Sequence, residues 1–201
     1  MLVLGLTGQS GAGKGVFSHT AGKREGIYVL DTDITARQVV CKGQPCLNEL
    51  TEFFGKEILE ADGTLNRRKL AQIAFSDESK HQSLNRITHF YITKKVEEWL
   101  SDCREKAAVC AIIDAPLLFE SGIDRLCHMT LGIIADYDIR IKRVMNRDKI
   151  DEKNARIRLD SQPDDEFFRQ KCTHILENNS SFEDFAAKTE KFIDSCILSK
   201  I

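Results

Sequence analysis

An apolar run from Met1 to Leu6 leads into Gly5-Leu6-Thr7-Gly8-Gln9-Ser10-Gly11-Ala12-Gly13-Lys14-Gly15, and this junction narrows the possible folds more than any other stretch of the chain. The glycines let the backbone curl until successive N–H groups face one anion. The helix that follows adds its positive end, and Lys14 can reach the β- and γ-phosphates of a nucleotide. The apolar run reads as a strand, and Val16, Phe17 and Ala21 read as the apolar side of a helix. Gly8, Gln9, Ser10, Gly11, Ala12, Gly13, Lys14 and Gly15 therefore read as a phosphate cradle between them. One position departs from the pattern: Gly15 stands where Ser or Thr usually supplies a hydroxyl to Mg²⁺.

Five short apolar runs have the unalternating character of parallel strands covered on both faces: Leu2 to Thr7, Ile27 to Asp31, Val109 to Asp114, Met129 to Ile134 and Cys172 to Leu176. Between the second and third lie about 75 residues with helical periodicity, too many for one crossover. This implies an inserted helical subdomain over 35–105. A second charged helical stretch, 138–168, carries Arg140, Lys142, Arg143, Arg147, Lys149, Lys153, Arg156 and Arg158 and reads as a mobile lid. The remaining segments, 1–34, 106–137 and 169–201, make up the core of a single α/β domain, which 201 residues can fill.

With 29 basic against 31 acidic residues, the chain has no global attraction to nucleic acid, so anion binding must come from a local cluster. No apolar run approaches the ~20 residues a membrane helix needs, and the N-terminus shows no basic leader or cleavage site. A cytoplasmic monomer without nucleic-acid or membrane partners is expected. The seven cysteines include no CxxC pair and read as reduced, small hydrophobic side chains.

The second run ends Leu30-Asp31-Thr32-Asp33, which puts carboxylates at the edge of an open sheet where ligands bind. Asp33 suits a catalytic base facing the γ-phosphate, and equally an N-cap for a helix beginning near Ile34; Arg37 lies within ion-pair spacing of it. The third run ends in Asp114, in the manner of a Walker B acid that helps hold the nucleotide's metal ion. After it, Leu117 and Leu118 either line an acceptor pocket or pack in the core. Arg143 and Arg147 share one helix face, where guanidinium groups could clamp phosphate oxygens or simply meet solvent.

Taken together, GLTGQSGAGKG, LDTDITARQVV, DGTLNRRKLAQIAF, LNRITHF, DAPLLFE, IKRVMNRD, RLDSQ and ILENNS resemble dephospho-coenzyme A kinases in order and spacing, over nearly the whole chain. The resemblance implies a three-layer P-loop nucleotide-kinase fold with a five-stranded parallel sheet, an acceptor-binding helical insert and a helical lid. It implies ATP as donor, Mg²⁺ as metal and the 3′-hydroxyl of the ribose of dephospho-coenzyme A as acceptor, in the last step of coenzyme A biosynthesis. It casts Asp33 as the base that takes the hydroxyl proton, and Arg37, Arg67 and His89 as acceptor-binding residues. Arg143 and Arg147 match lid arginines, Gln162 matches the end of the lid block, and Asn178 matches the segment near adenine.

Gly15, Phe90 and Ser180 depart from that family's pattern, replacing Ser or Thr, proline and glycine respectively. With no hydroxyl at position 15, Mg²⁺ is expected to bind through phosphates and through waters held by Asp33, Asp114 or both, since it keeps several waters and needs few protein ligands. Ser18, a turn further along the helix, reads as too distant to substitute. Two other functions remain open: a nucleoside or nucleoside-monophosphate kinase of the same fold, and an ATP-binding regulatory protein without turnover.

Overall fold

The computed structural model describes residues 1–198. Its sheet has the strand order β2-β3-β1-β4-β5, with β1 (Leu2–Gly8) in the centre. β1 runs parallel to β3 (Cys110–Asp114) on one side, pairing Leu2 with Cys110 and Leu6 with Asp114. On the other it runs parallel to β4 (Met129–Ile134), pairing Leu4 with Met129 and Gly8 with Ile133. β5 (His174–Glu177) is parallel to β4, and β2 (Ile27–Asp31) hydrogen-bonds to β3 at the opposite edge. The last strand starts two residues later than its apolar run. Cys172 N–H closes the preceding helix on Phe168 O, and Thr173 exchanges side-chain and backbone bonds with Thr130 instead of joining the ladder. β3 starts one residue later than its run, at Cys110.

The chain divides into two compact units: Met1–Leu30 with the chain from Asp102 onward, and Asp31–Ser101. In the first, α1 (Lys14–Ala21) and α9 (Phe182–Phe192) cover one face of the sheet. There Leu4, Leu6, Phe17, Ile112, Leu131, Ile133 and Phe185 form a continuous buried cluster, and the Phe17 and Phe192 rings meet edge to face at 5.9 Å. The segment expected as a lid belongs to this unit. It forms α6 (Tyr137–Asp148), α7 (Glu152–Asp160) and α8 (Asp165–Lys171). α6 and α7 share a small core of Ile141, Val144, Ala155 and Leu159.

The second unit holds α2 (Thr32–Val39), α3 (Pro45–Phe54), α4 (Arg67–Ala74) and most of α5 (Glu78–Glu105). Leu47, Leu50, Phe54, Ile58, Leu70, Ile87 and Val96 are buried in it. α3 opens on Pro45, whose missing N–H costs nothing in a first turn, and Asn66 caps α4 by accepting from Lys69 N–H. Among the described residues no helix is long and apolar enough to cross a membrane.

Candidate active site

The loop between β1 and α1 is shaped by three glycines with left-handed backbones: Gly8 (φ 140°), Gly11 (φ 79°) and Gly13 (φ 110°). At Gly8 a Cβ would stand 2.2 Å from Ile133 O, and at Gly13 it would stand 2.3 Å from Asn178 Nδ2, so only glycine fits either turn. Gly13 is the N-cap of α1 and offers no side-chain cap. The first turn of α1, in which Val16 and Phe17 N–H close on Gly13 O, sets the positive end of the helix dipole at the loop, which favours an anion.

A cradle of N–H groups needs its carbonyls turned away, and specific side chains hold them there. Lys14 Nζ donates to Gly8 O at 2.9 Å, and Ala12 N–H donates to Gln9 O at 3.2 Å. Arg143, on α6, donates through Nη1 to Gly11 O (3.2 Å), and Asn178 donates through Nδ2 to Ala12 O (2.7 Å). Arg143 also donates from Nη1 to Asn178 O, and from Nη2 to Asn178 Oδ1 and Ser180 O.

These contacts change the reading of two residues. Arg143 spends four of its five N–H donors on protein oxygens, so it braces the loop and the segment after β5 rather than standing ready to clamp phosphate; burial pushes its pKa down. Asn178, 4% exposed, is locked between Ala12 and Arg143. Arg147 is different. It is half-exposed and bound through Nε and Nη2 to Asp148, whose Oδ2 also accepts from Arg158 Nη1 at 2.6 Å. The bond to Asp148 raises the Arg147 pKa, and both arginines hold the Asp148 carboxyl below its ordinary range.

Asp114 ends β3, next to the β1 strand that delivers the loop, and accepts from Ser18 Oγ at 2.7 Å. Ser18, set aside by its distance along the helix, therefore touches the Walker B-like acid. That contact links α1 to β3, elements 96 residues apart, and no local pattern signals it. A Cβ at Gly15 would meet nothing within 4 Å, so the missing hydroxyl leaves open space.

Leu118 is fully buried, and its methyl carbons approach Gly5 so closely that a Cβ there would lie 2.8 Å away; it belongs to the core, not to a pocket. Leu117, next to it, is 55% exposed. The cap of α2 is Asp31, which accepts from Asp33 N–H (2.7 Å) and Ile34 N–H (3.2 Å), so the helix starts at Thr32 and Asp33 is not its cap. Asp33 and Arg37 are exposed on α2, Arg67 is exposed at the start of α4, and His89 is partly buried on α5.

Sequence reasoning matched Gln162 to the end of the lid block without giving it a partner. Its Oε1 accepts from Ser10 N–H at 2.9 Å and its Nε2 donates to Ser10 Oγ at 3.1 Å, while Gln9 Nε2 donates to Pro163 O at 2.9 Å.

Comparison with known proteins places the chain in a family. A dephospho-CoA kinase from Corynebacterium glutamicum is 36% identical over 201 residues, covering all of both chains. A Thermus thermophilus structure, TT1252, superposes with a TM-score of 0.80 at 29% identity, covering 97% of each chain. The dephospho-CoA kinase from Campylobacter jejuni gives 0.73 at 26% identity, covering 99% of this chain and 98% of its own. The dephospho-CoA kinase family model matches residues 2–184, and the chain belongs to that family.

Proposed function

We propose that the chain transfers the terminal phosphate of ATP to the 3′-hydroxyl of the ribose of dephospho-coenzyme A, giving coenzyme A and ADP in the last step of coenzyme A biosynthesis. What carries this reading is a phosphate cradle braced at several carbonyls, in a chain that the family model matches over residues 2–184. The N–H groups at the start of α1 and Lys14 hold the donor's phosphates and offset the charge that shifts toward the leaving ADP. Asp33, freed from capping by Asp31, accepts the hydroxyl proton as that oxygen bonds to phosphorus and the bond to ADP breaks. Arg37, Arg67, His89 and Leu117 bind the acceptor, and Arg147 neutralises the transferred group.

Mg²⁺ fits the donor set. Asp114 presents a carboxylate oriented by Ser18, and the ion needs only one or two such groups beside phosphates and waters. Asp114 and Asp33 would hold it through water, and it would supply positive charge that offsets the charge of the donor's phosphates. Among the described residues no cluster of three His, Cys, Asp or Glu could hold a metal. The reading includes a monomer working in the cytoplasm.

Incubation with ATP, Mg²⁺ and dephospho-coenzyme A should add one phosphate to the acceptor by mass, on the 3′-oxygen. Ready consumption of a nucleoside monophosphate with dephospho-coenzyme A ignored would overturn it, as would ATP binding without turnover.

A further inference from the structure

We propose that Gln162 is a positioning residue for the donor's terminal phosphate: its carboxamide fixes Ser10, the apex of the phosphate loop, and so sets the discrimination of ATP from ADP. The proposal rests on the donor reading above. Both ends of one amide are spent on one residue, Oε1 on Ser10 N–H (2.9 Å) and Nε2 on Ser10 Oγ (3.1 Å). One bond holds the Ser10 peptide N–H and the other its hydroxyl, so the backbone and side chain of that residue are set together, which a single bond could not do. The neighbouring pair works the other way: Gln9, 3% exposed, donates from Nε2 to Pro163 O. Residues 9–10 and 162–163 are thus stitched in both directions.

The other end of the stitch is stiff. Gln162 N–H donates to Leu159 O at the end of α7, and Leu159 sits in the small core shared with α6. Pro163 prevents continuation of the helix, and Asp164 then caps α8 by accepting from Phe167 N–H. The amide is therefore presented to the loop from a turn fixed on both sides.

On the donor reading, Ser10 lies toward the terminal phosphates. Lys14 Nζ is the group that reaches β- and γ-phosphates, and it rests on Gly8 O, two residues before Ser10 and away from the helix end of the cradle. Displacement of Ser10 should therefore be felt by a nucleotide with a γ-phosphate and hardly by one without.

The test is calorimetric binding of ATP, without acceptor, and of ADP to the wild type, Gln162→Met and Gln162→Glu. Met keeps the shape and loses both bonds; ATP affinity should fall about tenfold, the scale of one lost neutral hydrogen bond, with ADP affinity within about twofold. Glu can accept from both Ser10 N–H and Ser10 Oγ–H, so it keeps the fold, but it adds a negative charge at the apex; ATP should suffer more than in Met and ADP again little. Equal losses for the two nucleotides would reduce Gln162 to a fold-supporting residue and overturn the proposal, as would no loss for either. If the wild type failed to phosphorylate dephospho-coenzyme A, the acceptor reading would fall while the ATP-to-ADP ratio still decided the role of Gln162.

Discussion

The phosphate loop and the helices of the 31–101 unit hold their functional groups in opposite ways. In the loop the carbonyls of Gly8, Gly11 and Ala12 are tied to named side chains, and Ser10 is held from a turn 152 residues away in the chain. In the helical unit Asp33, Arg37 and Arg67 are exposed on helix surfaces. The difference suits what each is proposed to bind. A cradle of backbone N–H groups works only if its orientation is set in advance, because a peptide turned around presents a carbonyl to the phosphate. Long charged side chains can be ordered by the substrate itself, at the cost of their rotamer entropy on binding.

Substitutions can break this contrast. Asp33→Asn should show the largest effect on transfer, about 10²- to 10⁴-fold in kcat, because the amide cannot take the hydroxyl proton. Since Asp31 supplies the cap, its thermal midpoint and ATP affinity should match the wild type. A normal rate in a stable Asp33→Asn protein would remove it from the chemistry.

On the donor side, Gly13→Ala should damage structure and binding together. The left-handed backbone and the contact with Asn178 Nδ2 should cost about 1–3 kcal/mol of stability, read by denaturant unfolding, and weaken ATP binding. Full stability in this variant would mean that the loop is less fixed than its contacts indicate.

Acid should loosen the Arg147 side chain before it affects the loop. The Asp148 carboxyl is held below its unfolded value of about 3.9 by Arg147 and Arg158, so its contribution to stability is complete above that value and is lost as pH falls through the lowered one. Thermal midpoints of the wild type and Asp148→Asn should differ near neutrality and converge in acid.

The smallest effect belongs to Gly15→Ser. The position has room for a side chain, and a hydroxyl there restores the usual ligand while removing a helical glycine worth up to ~1 kcal/mol. In a metal titration its half-maximal activity should come at equal or lower Mg²⁺ than the parent. Loss of ATP binding would show that the open space is needed by the phosphate.

What could be read from the sequence was local. The glycine loop, its strand and its helix are contiguous, and all five apolar runs became strands, two with the expected bounds and three with shifts of one or two residues. The braces could not be read. Arg143, Asn178 and Gln162 act at separations of 132 to 166 residues, and nothing in a basic helix face or an Asn-Asn pair shows which carbonyl it will hold. Arg143 reads from sequence as either a phosphate clamp or a solvated residue, whereas four of its donors meet protein oxygens, three of them backbone carbonyls. Leu117 and Leu118 share one local pattern, and only packing against Gly5 separates them. The two carboxylates of Asp31-Thr32-Asp33 likewise needed the helix start to be placed before one could be made the cap.

The central place of β1 bears on how the chain is made as well as on what it binds. β1 is synthesised before both of its sheet neighbours and gains them only when Cys110–Asp114 and Met129–Ile134 have been made. At roughly 5–20 residues per second, Leu2–Gly8 spends on the order of ten seconds as an unpaired apolar segment. The stretch Asp31–Ser101 is a contiguous compact unit with buried apolar residues of its own, so it can collapse during that interval. Nascent-chain proteolysis should therefore find the helical stretch protected first. The residues nearest the N-terminus should become protected only after β4 emerges, which makes slow synthesis or a missing chaperone a threat to the phosphate loop before any other part of the protein.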